Sequence, residues 1–151
     1  IIDSMTQGQF KGYLKVNRAE AAKLLLLAKY GSVDYVSNNG RYLDVPRGAW
    51  YEKYMIVAAN KGIIDGYNKR LRPSDSINTA EFLAMLTRTF DLKTSSYHNF
   101  YDVPNSAWYS GYAGMVNKYK FFLHRGNKLE PSKNITRDEI AVTLYQYLTG
   151  N

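Results

Sequence analysis

The sequence repeats itself at a fixed spacing. Four short motifs occur twice, and the second copy of each is displaced from the first by the same offset: YLDVP at 42–46 and FYDVP at 100–104, WY at 50–51 and 108–109, LRPS at 71–74 and LEPS at 129–132, and INTAE at 77–81 and ITRDE at 135–139. Self-similarity over such a long stretch indicates structural units that bury a shared core. It therefore constrains the fold more than any single motif or bulk property.

A third copy is present in part at the start of the chain. VNRAE at 16–20 corresponds to INTAE at 77–81, and Ile1, Ile2 and Asp3 align with positions 63–65. The first half of this copy has no counterpart in the sequence, and we expect a processed fragment, an unresolved segment or a partner chain that supplies the missing helix. The expected division is the second half of repeat 1 at 1–31, a linker at 32–40, repeat 2 at 41–92, a linker at 93–98 and repeat 3 at 99–149, together forming one compact domain.

Each copy predicts a helix, a turn-rich connection and a second helix. In repeat 2 we expect the first helix at 50–61, followed by Gly62 as a stop. Its expected buried face consists of Trp50, Tyr54, Val57, Ala58 and Lys61. The second helices are expected at 18–29, 79–90 and 137–148. Because they are apolar on most sides, they belong in the middle of a bundle. The predicted fold class is mostly all-α, with short hairpins in the connections.

Each second helix begins with the pattern of a capping box. The pattern pairs Asn17 with Glu20, Asn78 with Glu81, and Thr136 with Glu139. In such a box the two side chains satisfy free backbone amides of the first helical turn. A purely structural role therefore accounts for all six residues.

Capping does not account for Arg18 and Arg137, which occupy the first position of their helices. A cation there opposes the helix macrodipole by roughly 0.3 to 1 kcal/mol. A guanidinium beside a helix N-terminus can hold a carboxylate or phosphate through two parallel hydrogen bonds. The alternative is a surface arginine paired with a neighbouring acid. Repeat 2 carries Thr79 at this position, so we expect at most two anion sites of this type.

Composition narrows the range of functions. The 151 residues carry a net charge of +7 and contain no cysteine. This excludes disulfides and thiolate metal sites and indicates attraction to an anionic partner. No apolar run reaches the roughly 20 residues of a membrane-spanning helix. His98 and His124 stand in dissimilar contexts, and no common hydrolase, zinc-protease or phosphate-loop motif occurs. We therefore expect no catalytic residue, metal site or cofactor. Because the basic residues are scattered, we expect no nucleic-acid partner.

The ordered set of motifs resembles the S-layer homology domain, and the match covers nearly the whole chain. In repeat 2 the matching pieces are LDV at 43–45, Trp50, GIIDG at 62–66, Pro73 and INTAE at 77–81. The resemblance implies three tandem units with pseudo-threefold symmetry. One helix from each unit would then meet in a central three-helix bundle.

The resemblance also implies a function. Members of this family typically anchor exported proteins non-covalently to the cell envelope. Many bind a secondary cell wall polymer with ketal-linked pyruvate, in grooves between neighbouring units. Contact with the anionic group would fall on Arg18 and Arg137. The candidates for lining the grooves are Trp50, Lys61, Gly62, Gly66 and Trp108. For both tryptophans we favour packing in the core, because each begins an amphipathic helix.

Three departures from the family pattern affect the grooves. One is the missing half of repeat 1, which we expect to remove a wall from one groove. Thr79 replaces the motif arginine in repeat 2, and KFFLH at 120–124 replaces the glycine-containing run. We therefore expect the grooves that depend on them to be weak or altered.

The leading hypothesis is a non-catalytic anchor outside the cell, at the wall or surface layer. Its expected partners are an anionic wall polysaccharide and either other surface-layer subunits or a chain that completes repeat 1. The alternative is a structural module that mediates assembly of a surface layer or fibre, with grooves that have lost their ligand.

Overall fold

The computed structural model describes residues 12–150. Over that range the chain forms five α-helices: α1 (Arg18–Tyr30), α2 (Glu52–Asn60), α3 (Thr79–Phe90), α4 (Ser110–Tyr119) and α5 (Arg137–Thr149). A 3-10 turn lies at Leu123–Arg125. The described part of the chain has no extended strand, and its strand-type pairing is confined to isolated bridges. The prediction of an all-α fold built from tandem repeats is confirmed.

The helices α1, α3 and α5, which we call the motif helices, begin at the residues that the capping pattern predicts. In α1 the Glu20 amide donates to Asn17 Oδ1 at 2.8 Å, and the Asn17 amide donates to Glu20 Oε1 at 3.0 Å. The boxes of α3 and α5 have the same reciprocal pairing. Each predicted end also lies within one residue of the observed end. Local sequence therefore fixes the bounds of these three helices.

The motif helices converge at their N-terminal ends on a ring of three backbone hydrogen bonds. The Ile77 amide donates to Val16 O at 3.0 Å, the Ile135 amide to Ile77 O at 3.1 Å, and the Val16 amide to Ile135 O at 3.3 Å. Each of these residues directly precedes a helix cap. A closed ring of equivalent residues requires the three helix N-termini to be related by approximate threefold symmetry.

The ring also brings each motif helix against the connection of another repeat. The Arg18 amide donates to Asp75 O at 2.9 Å, and at the equivalent position of the next motif helix the Thr79 amide donates to Lys133 O at 2.8 Å. The Arg137 amide closes the cycle by donating to Leu14 O at 3.2 Å. The first residue of every motif helix therefore lies at a boundary between units.

The core lies between the motif helices and the two helices that cover them. α1 packs against α3, α2 packs against α1, and α4 packs against α3. Fully buried side chains from all four helices form this core, including Leu25, Ile56, Phe82, Leu83 and Met115. The rings of Phe90 and Tyr147, with centroids 4.8 Å apart, join α3 to α5 near their C-terminal ends.

The first helices of repeats 2 and 3 begin two residues later than predicted, and both tryptophans lie outside them. Trp50 is 53% exposed and Trp108 is 64% exposed, so the prediction that they pack in the core was wrong. The turn before α2 explains this, because the Ala49 amide donates to Pro46 O and the Glu52 amide to Ala49 O. These bonds fix the chain before the helix begins and leave Trp50 on the surface.

The buried face of α2 also differs from the predicted one. Tyr54 and Ala58 are buried, as predicted. Met55 and Ile56 are fully buried as well, whereas Val57 is only partly buried. Lys61 follows the end of α2, and its ammonium lies 4.6 Å from the ring centroid of Tyr30. The predicted face was therefore right at Tyr54 and Ala58 and wrong at its two ends, because Trp50 and Lys61 lie outside the helix.

The connection of repeat 2 contains the expected short hairpin, reduced to one bridge. Tyr67 and Arg70 exchange two backbone hydrogen bonds of 3.0 Å, and the two residues between them have positive φ. A turn with two left-handed residues suits the twist of a tight hairpin. In repeat 3 the 3-10 turn at Leu123–Arg125 takes its place.

The segment before repeat 2 is fixed by buried polar groups. The Asn38 side chain donates to Tyr42 O and Val45 O at 2.7 and 2.8 Å. Glu52, 1% exposed, accepts hydrogen bonds from the amides of Asn38 and Gly48. Those amides, Asn38 first, hold the pKa of the Glu52 carboxyl below its usual range, although burial opposes them. Residues 32–40, which we assign as a linker, are thus anchored to α2.

Candidate functional site: grooves between the units

Arg18 is buried at the boundary between α1 and the connection of repeat 2. It is 8% exposed, its Nε donates to Leu71 O at 2.9 Å, and its Nη2 donates to Asp65 O at 3.4 Å. Burial lowers the pKa of this guanidinium and Arg72 adds to the effect, whereas Glu81 opposes it. Among the described residues, Arg18 forms no ion pair with a carboxylate. A buried cation that only carbonyl groups hold is suited to an incoming anion.

The carbonyl that holds Arg18 is itself positioned by the aspartate of the YLDVP motif. Asp44 accepts hydrogen bonds from the amides of Leu71 and Arg72 at 2.9 and 2.7 Å. The aspartate of repeat 3, Asp102, accepts from the equivalent amides, both at 2.9 Å. The two motif aspartates therefore fix the wall of a groove in each repeat.

A pocket of about 170 Å³ opens beside Arg18, and we call it groove A. Its polar and aromatic lining consists of Arg18, Asp65, Arg72, Glu81, Arg88 and Trp108. Arg88 is partly exposed and lies 3.8 Å from Asp65 Oδ2. The groove thus combines three guanidinium groups with two carboxylates, and the Trp108 ring stands at its edge. The arrangement can bind an anionic group and offer an aromatic face to a sugar ring.

A second pocket of about 440 Å³, groove B, lies at the equivalent place in repeat 3. Most of its lining residues hold the same repeat positions as residues of groove A, namely Phe122, Leu123, Glu139, Val142, Thr143 and Gln146. The chemistry of the two differs. Groove A has Arg18, Arg72 and Arg88. At the equivalent positions groove B has Thr79, Glu130 and Gln146. Groove B has therefore lost all three of these cations.

A different arginine supplies a buried guanidinium behind the wall of groove B, where it contacts the lining residue Glu139. Arg125, from the 3-10 turn, donates through Nη1 to Leu129 O and to Thr79 Oγ1, the latter at 2.9 Å. Leu129 is the equivalent of Leu71, which holds Arg18. The sequence analysis missed Arg125, because its position in the repeat corresponds to Tyr67 rather than to the motif arginine.

The guanidinium of Arg125 is neutralised from inside the protein. Its Nε and Nη2 donate to Glu139 Oε2 at 2.8 and 2.6 Å, and His124 Nε2 lies 2.9 Å from the same oxygen. Burial alone would raise the pKa of Glu139, but the hydrogen bonds and charge of Arg125, then His124, outweigh burial and lower it. The Arg125 side chain is 1% exposed. Groove B therefore offers no free cation at this point.

Arg137 lies at the third boundary, beside α1. Its Nη2 donates to Glu20 Oε2 at 2.6 Å, and both side chains are partly exposed. Nearby, the Lys23 ammonium lies 5.8 Å from the ring centroid of Trp50. These residues hold the repeat positions of Arg18, Glu81, Ala84 and Trp108 in groove A, and we call the region groove C on the basis of this equivalence. Residues 1–3, which align with a wall of groove A, lie outside the described residues. The pairing of Arg137 with an acid follows the alternative interpretation of the motif arginine.

The two candidate glycines serve the turn after α2. Gly62 has φ of 73°, and a Cβ there would meet no atom within 4 Å, so its conformation rather than a close approach favours glycine. A Cβ at Gly66 would lie 2.9 Å from the Tyr42 ring and 3.3 Å from Arg70 O. Gly66 therefore allows a contact within repeat 2. Lys61 lies against Tyr30 and does not line groove A.

The sequence analysis named Arg18 as an anion contact and Trp108 only as a candidate for lining a groove, with packing in the core favoured, and the structure brings both into groove A. It did not identify Arg72 and Arg88. The only available signal was that both are arginines in repeat 2 whose equivalents in repeat 3 are uncharged or acidic.

The described residues contain no group of side chains with the composition of a metal site. They also contain no helix with the length and apolar character needed to cross a membrane.

Comparison with known protein families decides the assignment. The family model of the S-layer homology domain matches residues 41–83 and 99–141. The chain belongs to this family. The matched residues include both YLDVP-type motifs and the capping boxes of α3 and α5. The third motif helix, α1, lies outside the two matches and shares their cap geometry.

Relatives of the chain are large proteins with a similar segment. It is 29% identical to the amylopullulanase of Thermoanaerobacterium thermosulfurigenes over 163 residues, which is 100% of this chain and 8% of that protein. It is 34% identical to exoglucanase XynX of Acetivibrio thermocellus over 63% of this chain and 9% of that protein. The cellulosome-anchoring protein of the same organism is 30% identical over 67% of this chain and 24% of that protein.

The chain thus spans less than a quarter of the length of these relatives. An S-layer homology domain is a non-catalytic anchoring module associated with the cell surface, and this chain is such a module.

Proposed function

We propose that this module tethers an exported protein to an anionic cell wall polysaccharide, and that groove A holds the anionic group. The observation that carries the proposal is the state of Arg18. It is buried and held by two carbonyl oxygens, and it has no carboxylate partner among the described residues. In the other two grooves the guanidinium is already paired with a glutamate.

The neighbours of Arg18 favour a sugar acid as the ligand. Arg72 and Arg88 bring two further guanidinium groups to the same pocket. Guanidinium forks match a carboxylate better than an ammonium does, because they can donate two parallel hydrogen bonds. The Trp108 ring, 64% exposed, offers an apolar face for a pyranose. A polymer with ketal-linked pyruvate combines both features.

Groove A can act alone or with groove C. If the Arg137–Glu20 pair opens, Arg137 would present a second guanidinium at this boundary. Both side chains of this pair keep part of their surface open to solvent, 20% for Arg137 and 27% for Glu20, so a ligand carboxylate could compete with Glu20 for the guanidinium. Two sites on one module would raise avidity for a repeating polymer.

The test is cosedimentation with purified wall sacculi, before and after mild acid removes the ketal groups. We expect the chain to sediment with intact sacculi and to stay in solution with stripped ones. Arg88→Gln and Arg72→Gln should weaken the interaction, and Arg47→Gln, an exposed arginine of the loop before α2, is the matched control. Binding that ignores both the ketal groups and the groove variants would refute the proposal.

The alternative, an assembly module with ligand-free grooves, has one observation in its favour. Two of the three guanidinium groups are neutralised by glutamates of the chain itself. This alternative predicts self-association that depends on protein concentration and no response to the wall polymer. Sedimentation velocity over a hundredfold range of concentration, with and without the polymer, separates the two functions.

A further inference from the structure

Residues 38–41 form a tight turn with the sequence NNGR. The Arg41 amide donates to Asn38 O at 3.0 Å, and both central residues have positive φ, 50° at Asn39 and 75° at Gly40. These are the features of a type I′ turn, for which Asn followed by Gly is a preferred pair. Asn39 and Gly40 are both exposed, so the tip of the turn faces solvent.

The base of this turn is held firmly, whereas its tip is not. The Asn38 side chain donates to Tyr42 O and Val45 O and accepts from the Tyr42 amide at 2.9 Å. In the part of the chain that the structure describes, no group accepts a hydrogen bond from the Gly40 amide or bonds to the Asn39 carboxamide. A Cβ at Gly40 would meet no atom within 4 Å, so the space beside the tip is open. The peptide group between Asn39 and Gly40 can therefore rotate while the base stays fixed.

Rotation of this peptide group brings a nucleophile against the Asn39 side chain. Turning it over converts a type I′ turn into type II′, in which ψ of the first central residue is roughly −120°. Glycine at the second position accepts the accompanying change in φ, because it populates both signs of φ. At that ψ the Gly40 nitrogen is eclipsed with Cβ of Asn39, which is the arrangement needed to close a five-membered ring through Cγ.

We propose that Asn39 is a site of spontaneous deamidation in the folded protein. The Gly40 nitrogen bonds to Cγ of Asn39, its proton passes through solvent to the leaving group, and the side-chain nitrogen departs as ammonia. Water then opens the cyclic imide at either carbonyl carbon, which gives aspartate or isoaspartate at position 39. Water is the only reactant consumed. The inference is independent of the wall polymer and of the grooves.

The turn at 67–70 provides an internal comparison. The Arg70 amide donates to Tyr67 O at 3.0 Å, and Asn68 and Lys69 have φ of 51° and 57°. Asn68 is exposed and holds the same turn position as Asn39, but the residue after it carries a side chain. That side chain hinders attack by the Lys69 nitrogen, so Asn68 should react more slowly.

The modification acts on the anchor of residues 32–40. An isoaspartate carries the main chain through its own Cβ, which lengthens the turn by one carbon. The turn closes between Asn38 and Arg41, and the Asn38 amide also donates to buried Glu52 at 2.8 Å. A longer turn strains these bonds, whereas an aspartate keeps the length of the turn and adds a negative charge at an exposed position. The isoaspartate form should therefore be the less stable of the two products.

The test is peptide mapping by mass spectrometry of the folded chain during incubation at mildly alkaline pH, which favours deprotonation of the attacking amide. We expect Asn39 to lose its amide at least tenfold faster than Asn68. Lys69→Gly gives the second turn the same pair of residues, and should bring Asn68 close to the rate of Asn39. Asn39→Gln should keep its amide, because its side chain would have to close a six-membered ring.

Three outcomes would overturn deamidation at this turn. Asn39 keeps its amide in the folded chain while the chain in urea loses it, Asn68 reacts as fast as Asn39 in the unaltered chain, or Asn68 stays slow in Lys69→Gly. The first would show that the native turn prevents the rotation, and the other two that glycine does not set the rate.

The effect on the anchor is measured on the two products after chromatographic separation, with Asn39→Asp as the reference for the aspartate form. We expect the isoaspartate form to unfold at a lower urea concentration than Asn39→Asp. Equal stability of the two would overturn the link between this turn and the anchor.

Discussion

Grooves A and B have equivalent walls in repeats 2 and 3, and opposite chemistry. In each, a motif aspartate fixes the backbone that faces a buried guanidinium. In groove A the guanidinium belongs to the first residue of a motif helix and has no carboxylate partner among the described residues. In groove B it comes from the 3-10 turn and is bound to Glu139. The fold therefore preserves a buried guanidinium even where the sequence motif has changed.

The comparison teaches that the motif arginine has two roles. One is structural, because both Arg18 and Arg125 donate to the same type of carbonyl, Leu71 O or Leu129 O. The other is electrostatic, and only a guanidinium without an internal acid can fulfil it. The sequence predicts a weak groove where Thr79 replaces the arginine. The structure shows that Arg125 restores the guanidinium there and donates to Thr79 itself, from a distance of 46 residues along the chain.

The largest expected effect is the loss of stability when the buried guanidinium beside groove B is removed. Arg125→Ala leaves Glu139 buried without its partner, and breaking one side of a buried ion pair typically costs about 3–5 kcal/mol. Arg18→Ala removes only hydrogen bonds to carbonyl groups, so its expected cost is about 1–3 kcal/mol. Urea unfolding of both variants measures the difference. Arg70→Ala, at an exposed site of the neighbouring turn, is the control and should change the free energy of unfolding by less than about 0.5 kcal/mol. Equal losses for Arg18 and Arg125 would show that the two guanidinium groups are held alike.

The next effect concerns binding in groove A. Arg18→Lys keeps the charge and removes the fork of donors, so affinity for the anionic wall polymer should fall at least about tenfold, or about 1.4 kcal/mol. Arg125→Lys should leave this affinity unchanged, because Glu139 already occupies that guanidinium. Isothermal titration with polymer fragments measures both. Loss of affinity in Arg125→Lys alone would place the ligand in groove B.

Acid should weaken groove B more than groove A. The pKa of Glu139 is lower in the folded state than its usual value of 4.5. Its contribution is therefore fully present above about pH 4.5 and is lost as the pH falls towards the lower folded value. Glu139→Gln should flatten the dependence of stability on pH below 4.5. Glu52, whose pKa is also lowered, remains in both proteins and accounts for the slope that is left. Identical slopes for the two proteins would mean that Arg125 does not hold Glu139 as the geometry indicates.

The smallest effect concerns His124. Its side chain is 59% exposed, and a partly exposed pair of this kind contributes about 0 to 1 kcal/mol. His124→Ala should therefore lower the free energy of unfolding by no more than about 1 kcal/mol, far less than Arg125→Ala. Chemical denaturation of His124→Ala beside Arg125→Ala measures the difference. A loss comparable with that of Arg125→Ala would assign the main neutralising role to His124.

Local pattern predicted the motif helices well and the helices before them less well. Asn17, Asn78 and Thr136 fix helix starts through side chains three residues away, which a sequence displays directly. The start of α2 depends instead on turns that follow Pro46, and these hold Trp50 outside the helix. Aromatic spacing alone placed the start of this helix two residues too early, because nothing in that spacing distinguishes a first helical residue from the turn before it.

The sequence by itself determined the repeat, the three capped helices and the family. These features depend on the order of motifs along the chain and on contacts within one helical turn. Only the tertiary structure decided which guanidinium lies beside each groove and which acid it meets. Arg18 meets Leu71 across 53 residues, Arg125 meets Thr79 across 46, and Arg137 meets Glu20 across 117. Whether a buried arginine remains available to a ligand depends on the carboxylate that folding brings beside it, and no local pattern specifies that partner.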